Sequence, residues 1–196
     1  IRAGLLTELD GPEMIPPRAL NSHKGTFGHL VVWAGSRETP GAGILALRGG
    51  LRAGAGLVSW AVDEATLDFT PPPPAEVMLK VSAFGESVRN WTERTLERAT
   101  AVVAGPGLNA AGESYEHLYD LLEICDVPMC LDAEALNLMA ERPELWKLIH
   151  CPVVITPHPK EMARLVGSTT QAVQADRIGL ASSFAMDRNC VVVLKG

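Results

Sequence analysis

Residues 155–167 (ITPHPKEMARLVG) hold a histidine between two prolines. They place a hydroxyl, an imidazole and a carboxylate, those of Thr156, His158 and Glu161, close together in the chain. An apolar run, residues 151–155, leads into this segment, and a helical pattern follows it. A buried strand therefore delivers these side chains to its carboxyl end, where open parallel sheets bind their ligands. Pro157 and Pro159 stiffen the turn, because each fixes its own φ and biases the preceding residue away from helix. Pro159 also suits the first turn of the following helix. Taken alone, the segment reads equally as a ligand site or as a helix start with a solvated histidine.

Other strand ends carry residues of the same kind. Gly35 and Ser36 end an apolar run, and residues 41–43 (Gly-Ala-Gly, with Ala42 at the centre) open a helix. Small residues there let a ligand approach backbone N–H groups. Gly105-Pro106-Gly107 follows another apolar run and is either a turn or a set of amides at the same edge. Asp132 ends a short strand, where it can cap the next helix or face a ligand. Lys195-Gly196 ends the last apolar run, where the lysine can meet a phosphate or simply be solvated. His23-Lys24-Gly25 precedes the first strand, so a structural role is favoured there. Gly41 to Ala46 fits the G-x-G-x-x-A dinucleotide fingerprint, with Asp63 following at the expected distance. Residues 35–40 nevertheless intervene between strand and glycines, whereas a true Rossmann turn leaves the strand directly.

The elements that must position these groups are short apolar runs alternating with helical patterns. Strands are expected at 30–34, 57–62, 101–104, 129–131, 153–155 and 190–194, the last being CVVVL. Helices are expected at 41–53, 87–98, 113–124, 134–140, 159–166 and 171–187, the last with Ile178, Ala181, Phe184 and Ala185 on one face. Four prolines at 71–74 mark a surface loop. Such alternation implies an α/β fold, with a mainly parallel sheet and helices on both faces.

The 196 residues, 47% of them hydrophobic, allow one sizeable core. A net charge of −6 argues against a nucleic-acid or membrane surface. It leaves an anionic ligand open, since backbone amides bind phosphate without side-chain charge. Cys125, Cys130, Cys151 and Cys190 show no C-x-x-C spacing and read as reduced, buried thiols of a cytoplasmic protein. Neither a signal peptide nor an apolar stretch of membrane-span length is visible. Because the sequence starts at Ile1 and stops directly after an apolar strand, the expectation is a chain that continues.

Read in order, HKGTFGHLVVWAGS (23–36), LRAGAGLVSWA (51–61), PAEVM (74–78), VVAGPGL (102–108), LDAEALNLMA (131–140), ITPHPKEMARLVG (155–167) and VVVLKG (191–196) resemble one family. It is the ADP- or ATP-dependent NAD(P)H-hydrate dehydratases, of ribokinase-like fold. TPHP followed by glutamate and the LDA-x-ALN segment are its specific parts. Asn109, after GPGL, and Lys160, within TPHP-x-E, depart from the commoner forms.

The resemblance implies a single ribokinase-like domain over residues 1–196, with 1–22 as a lead-in and the C-terminal part missing. It implies a lyase that repairs the hydrated cofactors NADHX and NADPHX. Such an enzyme phosphorylates the hydrate at the expense of ADP or ATP, with Mg²⁺ accompanying the nucleotide, and loss of phosphate restores the double bond. Ala42, Gly105, Gly107, Asp132 and His158 would line the hydrate site, and Lys195 and Gly196 would begin the nucleotide site. The family's general base is an aspartate in a G-G-T-G-D segment, which residues 1–196 do not contain; Asp132 is the alternative within them. No protein metal site is implied. A homo-oligomer and a fused or separate NAD(P)HX epimerase are the expected partners. Another ribokinase-like small-molecule kinase, or a non-catalytic nucleotide-binding protein lacking the aspartate, remain the alternative readings.

Overall fold

The computed structural model describes residues 17–82, 86–109 and 114–196. Seven strands form one sheet: β1 (His29–Trp33), β2 (Leu57–Val62), β3 (Val77–Val81), β4 (Ala101–Ala104), β5 (Met129–Leu131), β6 (Val153–Ile155) and β7 (Val191–Val192). Their spatial order is β3-β2-β1-β4-β5-β6-β7. Every neighbouring pair is parallel. Most of these strands are nearly unbroken apolar runs, so both faces need cover, which helices on a parallel sheet provide.

The helices are α1 (Pro40–Ala53), α2 (Glu64–Leu67), α3 (Val88–Leu96), α4 (Ser114–Ile124), α5 (Glu134–Glu141), α6 (Pro159–Leu165), α7 (Thr170–Ala175) and α8 (Arg177–Arg188). Successive strand residues point to opposite faces, and the core accordingly splits in two. Val32, Ala34, Val58, Trp60 and Val62 pack with Ile44 and Leu47 of α1. Val31, Trp33, Val102, Ala104, Leu131 and Ile155 pack on the other face with side chains of α3 to α8, among them Trp91, Leu118, Leu136, Met162 and Phe184. Local sequence sets the helix ends. Pro40 opens α1 and Gly54, left-handed at φ 97°, closes it. The Ser87 side chain caps α3.

The strand–helix alternation stands as the sequence implies, with ends shifted by a residue or two. Four features differ. The helix expected over 171–187 is two helices, because Asp176 leaves helical geometry at φ −142° and its carboxylate caps α8 by accepting from Gly179 N. The reset turns Ile178 outward, 69% exposed, and gives the buried stripe to Leu180 and Phe184. The strand expected over 190–194 is reduced to Val191–Val192. Beyond it only alternate amides continue the ladder, Val193 N to Ile155 O and Lys195 N to Pro157 O. The third difference is β3, which the sequence pattern does not announce; it is an edge strand with Met78 and Leu79 half-exposed. The fourth is the burial of the cysteines: all four are free, but Cys125 alone is fully buried. Burial pushes its thiol up to about 12. The start expected for α4, Glu113, and residues 1–16 of the lead-in lie outside the described residues.

One buried polar cluster sits at the amino end of the sheet. His29 Nε2 and Ser59 Oγ are 2.8 Å apart. Burial, reinforced by the positive charge of Lys80, holds His29 below its ordinary value. The imidazole therefore titrates near pH 6.5 when unfolded and at lower pH when folded. Between those two values the unfolded chain binds more protons, so stability is full above about pH 6.5 and falls as pH drops towards the folded value. Urea midpoints at about pH 7.5 and about pH 5.5 are expected to show this loss, and His29→Asn should remove most of the difference. A loss of equal size in wild type and variant would assign it to other groups.

Candidate functional site at the carboxyl ends of the strands

The order β3-β2-β1-β4-β5-β6-β7 reverses direction between β1 and β4, which leaves a crevice at their carboxyl ends. The loops that leave these strands are tied together through the backbone. Gly35 N donates to Pro106 O at 2.8 Å, and Gly105 N to Trp33 O at 3.1 Å. Asp132 N donates to Ala104 O at 3.1 Å, and Glu134 N returns to Gly105 O at 3.3 Å. Gly105 has φ 116°, and a Cβ there would stand 1.9 Å from the Asp132 carbonyl oxygen. A Cβ at Gly107 would stand 2.5 Å from the Ala42 methyl. Glycine is required at both positions, for conformation and for contact.

These contacts bring the sequence-predicted residues into one row. Ala42, at the start of α1, lies against Gly107, and Gly105 lies against Asp132. Lys195 Nζ donates to Asp132 Oδ1 at 2.6 Å, with the two side chains 41% and 24% exposed. Gly196, at φ 90°, lies beside Pro159, the neighbour of His158. Asp132 does not cap α5. That position is taken by Ala133, whose φ of 50° is rare for a residue with a side chain, and no side-chain bond is made there. The Asp132 carboxylate is thereby left for Lys195.

His158 is more constrained than its sequence setting implies. Its Nδ1 accepts from Lys160 N at 3.1 Å and Glu161 N at 3.2 Å, which caps α6. Glu161 Oε2 accepts from His158 N at 2.8 Å, completing a capping box. The other ring nitrogen, Nε2, faces Glu161 Oε1 at 3.2 Å. An acceptor Nδ1 fixes the proton on Nε2, which stands beside the buried carboxylate of Glu161 without a hydrogen bond to it. The imidazole is 45% exposed and offers a ligand its ring edge and face.

Several sequence candidates fall outside the row. Asp63 spends its carboxylate on Thr66, accepting from Thr66 N at 2.6 Å and from Thr66 Oγ1 at 2.8 Å. It caps α2 and takes no part in a dinucleotide fingerprint. His23 caps a 3₁₀ turn, Lys24–Phe27, before β1. Thr39 and Arg177 belong to the row and were missed. Thr39 Oγ1 donates to Gly107 O at 2.7 Å and meets Ser36 Oγ at 3.0 Å, latching the glycine loop onto the start of α1. A threonine directly before Pro40, in the N-cap position of a helix, was the available signal, though it makes no cap bond. A cleft of about 320 Å³ adjoins the row over β1 to β3, shares Gly35 and Ser36 with it, and is also lined by Arg37, Thr66 and Asn109. Among the described residues, no three or more His, Cys, Asp or Glu side chains converge on a metal position. No helix among them is long and apolar enough to cross a membrane.

The chemistry open to this row is anion binding and group positioning: small residues that let a ligand come close, one lysine, one carboxylate and an oriented imidazole. Comparison with known proteins agrees. The sequence pattern of the NAD(P)H-hydrate dehydratase family matches residues 30–196. The ADP-dependent (S)-NAD(P)H-hydrate dehydratase of Neisseria meningitidis is 35% identical over 200 residues, covering 100% of this chain and 64% of that protein. The bifunctional NAD(P)H-hydrate repair enzyme Nnr of Moorella thermoacetica is 35% identical, covering 98% of this chain and 37% of that one. The Bacillus subtilis ADP/ATP-dependent NAD(P)H-hydrate dehydratase co-crystallized with ATP/Mg²⁺ superposes with a TM-score of 0.76 at 33% identity, over 93% of this chain and 62% of that one. The chain thus spans less than two thirds of the length of each. In pattern, sequence and ribokinase-like fold, it belongs to the NAD(P)H-hydrate dehydratase family.

Proposed function

We propose that this chain serves the nucleotide-dependent dehydration of NADHX and NADPHX. The observation that carries the reading is continuity. The residues that the resemblance assigns to the hydrate, Ala42, Gly107 and His158, and those it assigns to the nucleotide, Lys195 and Gly196, lie along one strand-end row. The Asp132–Lys195 pair at 2.6 Å stands within it. Phosphoryl transfer depends chiefly on placing two reactants in line and stabilising the charge that develops. In this reading the small-residue amides and the start of α1 hold phosphates, and an incoming phosphate draws Lys195 from Asp132. The hydrate's hydroxyl oxygen then bonds to the terminal phosphorus as the nucleotide's bridging P–O bond breaks. The carbon–oxygen bond afterwards breaks to release phosphate, a proton leaves the adjacent ring carbon for the released phosphate or water, and the electrons of that C–H bond re-form the double bond.

The hydroxyl proton needs a base. The family's aspartate in its G-G-T-G-D segment is the proposed one, and Asp132, already committed to Lys195, is the alternative. Mg²⁺ would arrive with the nucleotide, since it keeps water and phosphate ligands and asks the protein for one or two carboxylates; Asp132 is the candidate on this row. The bifunctional relatives support a fused or separate epimerase as partner. A homo-oligomer working in the cytoplasm completes the proposal.

Two experiments test this reading. The whole protein is expected to restore the absorbance of reduced nicotinamide from purified NADHX when ADP or ATP with Mg²⁺ is added, and to leave hydroxymethylpyrimidine and thiazole alcohols unphosphorylated. Turnover of those alcohols instead would move the chain to another ribokinase-like kinase. His158→Ala is expected to weaken hydrate binding by about 1–3 kcal/mol through the lost polar contact, and to lower stability by about 1 kcal/mol through the lost cap. Calorimetry showing unchanged NADHX affinity in the folded variant would leave His158 with the cap alone.

A further inference from the structure

Arg177 opens α8, and with Leu180 and Phe184 it shares the spacing of the stripe that packs on the sheet. From there its Nη2 donates to two successive carbonyls, Leu194 O at 3.1 Å and Lys195 O at 3.2 Å. Its Nη1 donates to Gln174 Oε1 at 3.0 Å, which anchors the fork to α7. Successive carbonyls of an extended strand point to opposite sides. Two that converge on one nitrogen mean that the backbone turns at Lys195; β7 itself ends earlier, at Val192, because Pro157 has no N–H to give to Val193 O.

In a trans peptide the C=O and N–H point in opposite directions. With Leu194 O on Arg177, the Lys195 N–H points the other way and meets Pro157 O at 2.9 Å. With Lys195 O on Arg177, the Gly196 N–H is turned away from the guanidinium, and among the described residues it has no acceptor. Lys195 is thus held at three points: its amide on Pro157, its carbonyl on Arg177 and its ammonium on Asp132. We propose that Arg177 is a positioning residue that folds the Lys195–Gly196 turn into the shape that receives the nucleotide phosphates. The proposal deepens the dehydratase reading and rests on it. Arginine suits the task because its planar fork reaches several acceptors from one side chain and stays charged.

The test uses the whole protein, with ADP and ATP titrated by calorimetry and NADHX turnover measured alongside. Arg177→Leu is expected to weaken nucleotide binding about tenfold, the scale of a lost hydrogen bond to a charged group. It should lower kcat and leave the KM for NADHX unchanged. Arg177→Lys keeps the charge but not the fork, and should recover part of the affinity. Wild-type nucleotide affinity in folded Arg177→Leu overturns the proposal. So does an equal loss for nucleotide and hydrate together with a fall in Tm, the mark of a merely structural role. Should Arg177→Leu not fold, wild-type affinity in Arg177→Lys overturns it. A wild-type protein that binds neither nucleotide would instead sink the dehydratase reading itself.

Discussion

The site depends on one close approach. The chain leaving β4 touches the chain leaving β5 backbone to backbone at Gly105, where no side chain fits beside the Asp132 carbonyl. That contact sets Asp132 at the crevice floor and lets Glu134 N return to Gly105 O. It also accompanies the positive φ at Ala133, a backbone cost of about 1–3 kcal/mol that surrounding structure must offset. On the other side of the crevice, the Gly35–Pro106 bond joins the same loop to the exit of β1. The topology makes a crevice at this reversal, and backbone contact gives it a fixed floor.

Around that floor the polar groups hold one another. Asp132 and Lys195 neutralise each other in a half-exposed pair, which water screens and which holds little free energy. Such a pair is readily exchanged for a stronger anionic partner. His158 is different: its Nδ1 caps α6, and its backbone N–H is held by the buried carboxylate of Glu161. It is a rigid part of the wall, while Lys195 is the part able to change partner. Arg177 and Thr39 steady the row at its two ends, each through backbone carbonyls.

Much of this was legible in the sequence, because the strands are short apolar runs whose ends carry glycine, aspartate, proline or lysine. The parallel sheet, its two covered faces and the shared edge of Gly35, Gly105, Asp132, Thr156 and Lys195 follow from that pattern. What was not legible depends on contacts distant in sequence. A carboxylate within a helical stretch can end one helix and cap another, as Asp176 does, and periodicity alone cannot separate that from an unbroken helix. A valine run looks like continuous strand until its register sets it opposite a proline, as β7 meets Pro157, which has no N–H to return to Val193 O. β3 escaped because an edge strand need not be buried. His158 illustrates a role the sequence did not announce: a proline-flanked histidine read equally as a ligand group or as a solvated residue at a helix start, and the structure shows a cap.

The central claim is that the strand-end row holds both reactants, and hydrogen–deuterium exchange on the whole protein with ATP and Mg²⁺, then with NADHX, tests it most directly. Slowed exchange is expected at Lys195–Gly196 with nucleotide, and additionally at Gly107, at the start of α1 and at His158–Glu161 with hydrate. Protection confined to the opposite, amino-terminal edge, around His29 and His150–Cys151, would contradict the account.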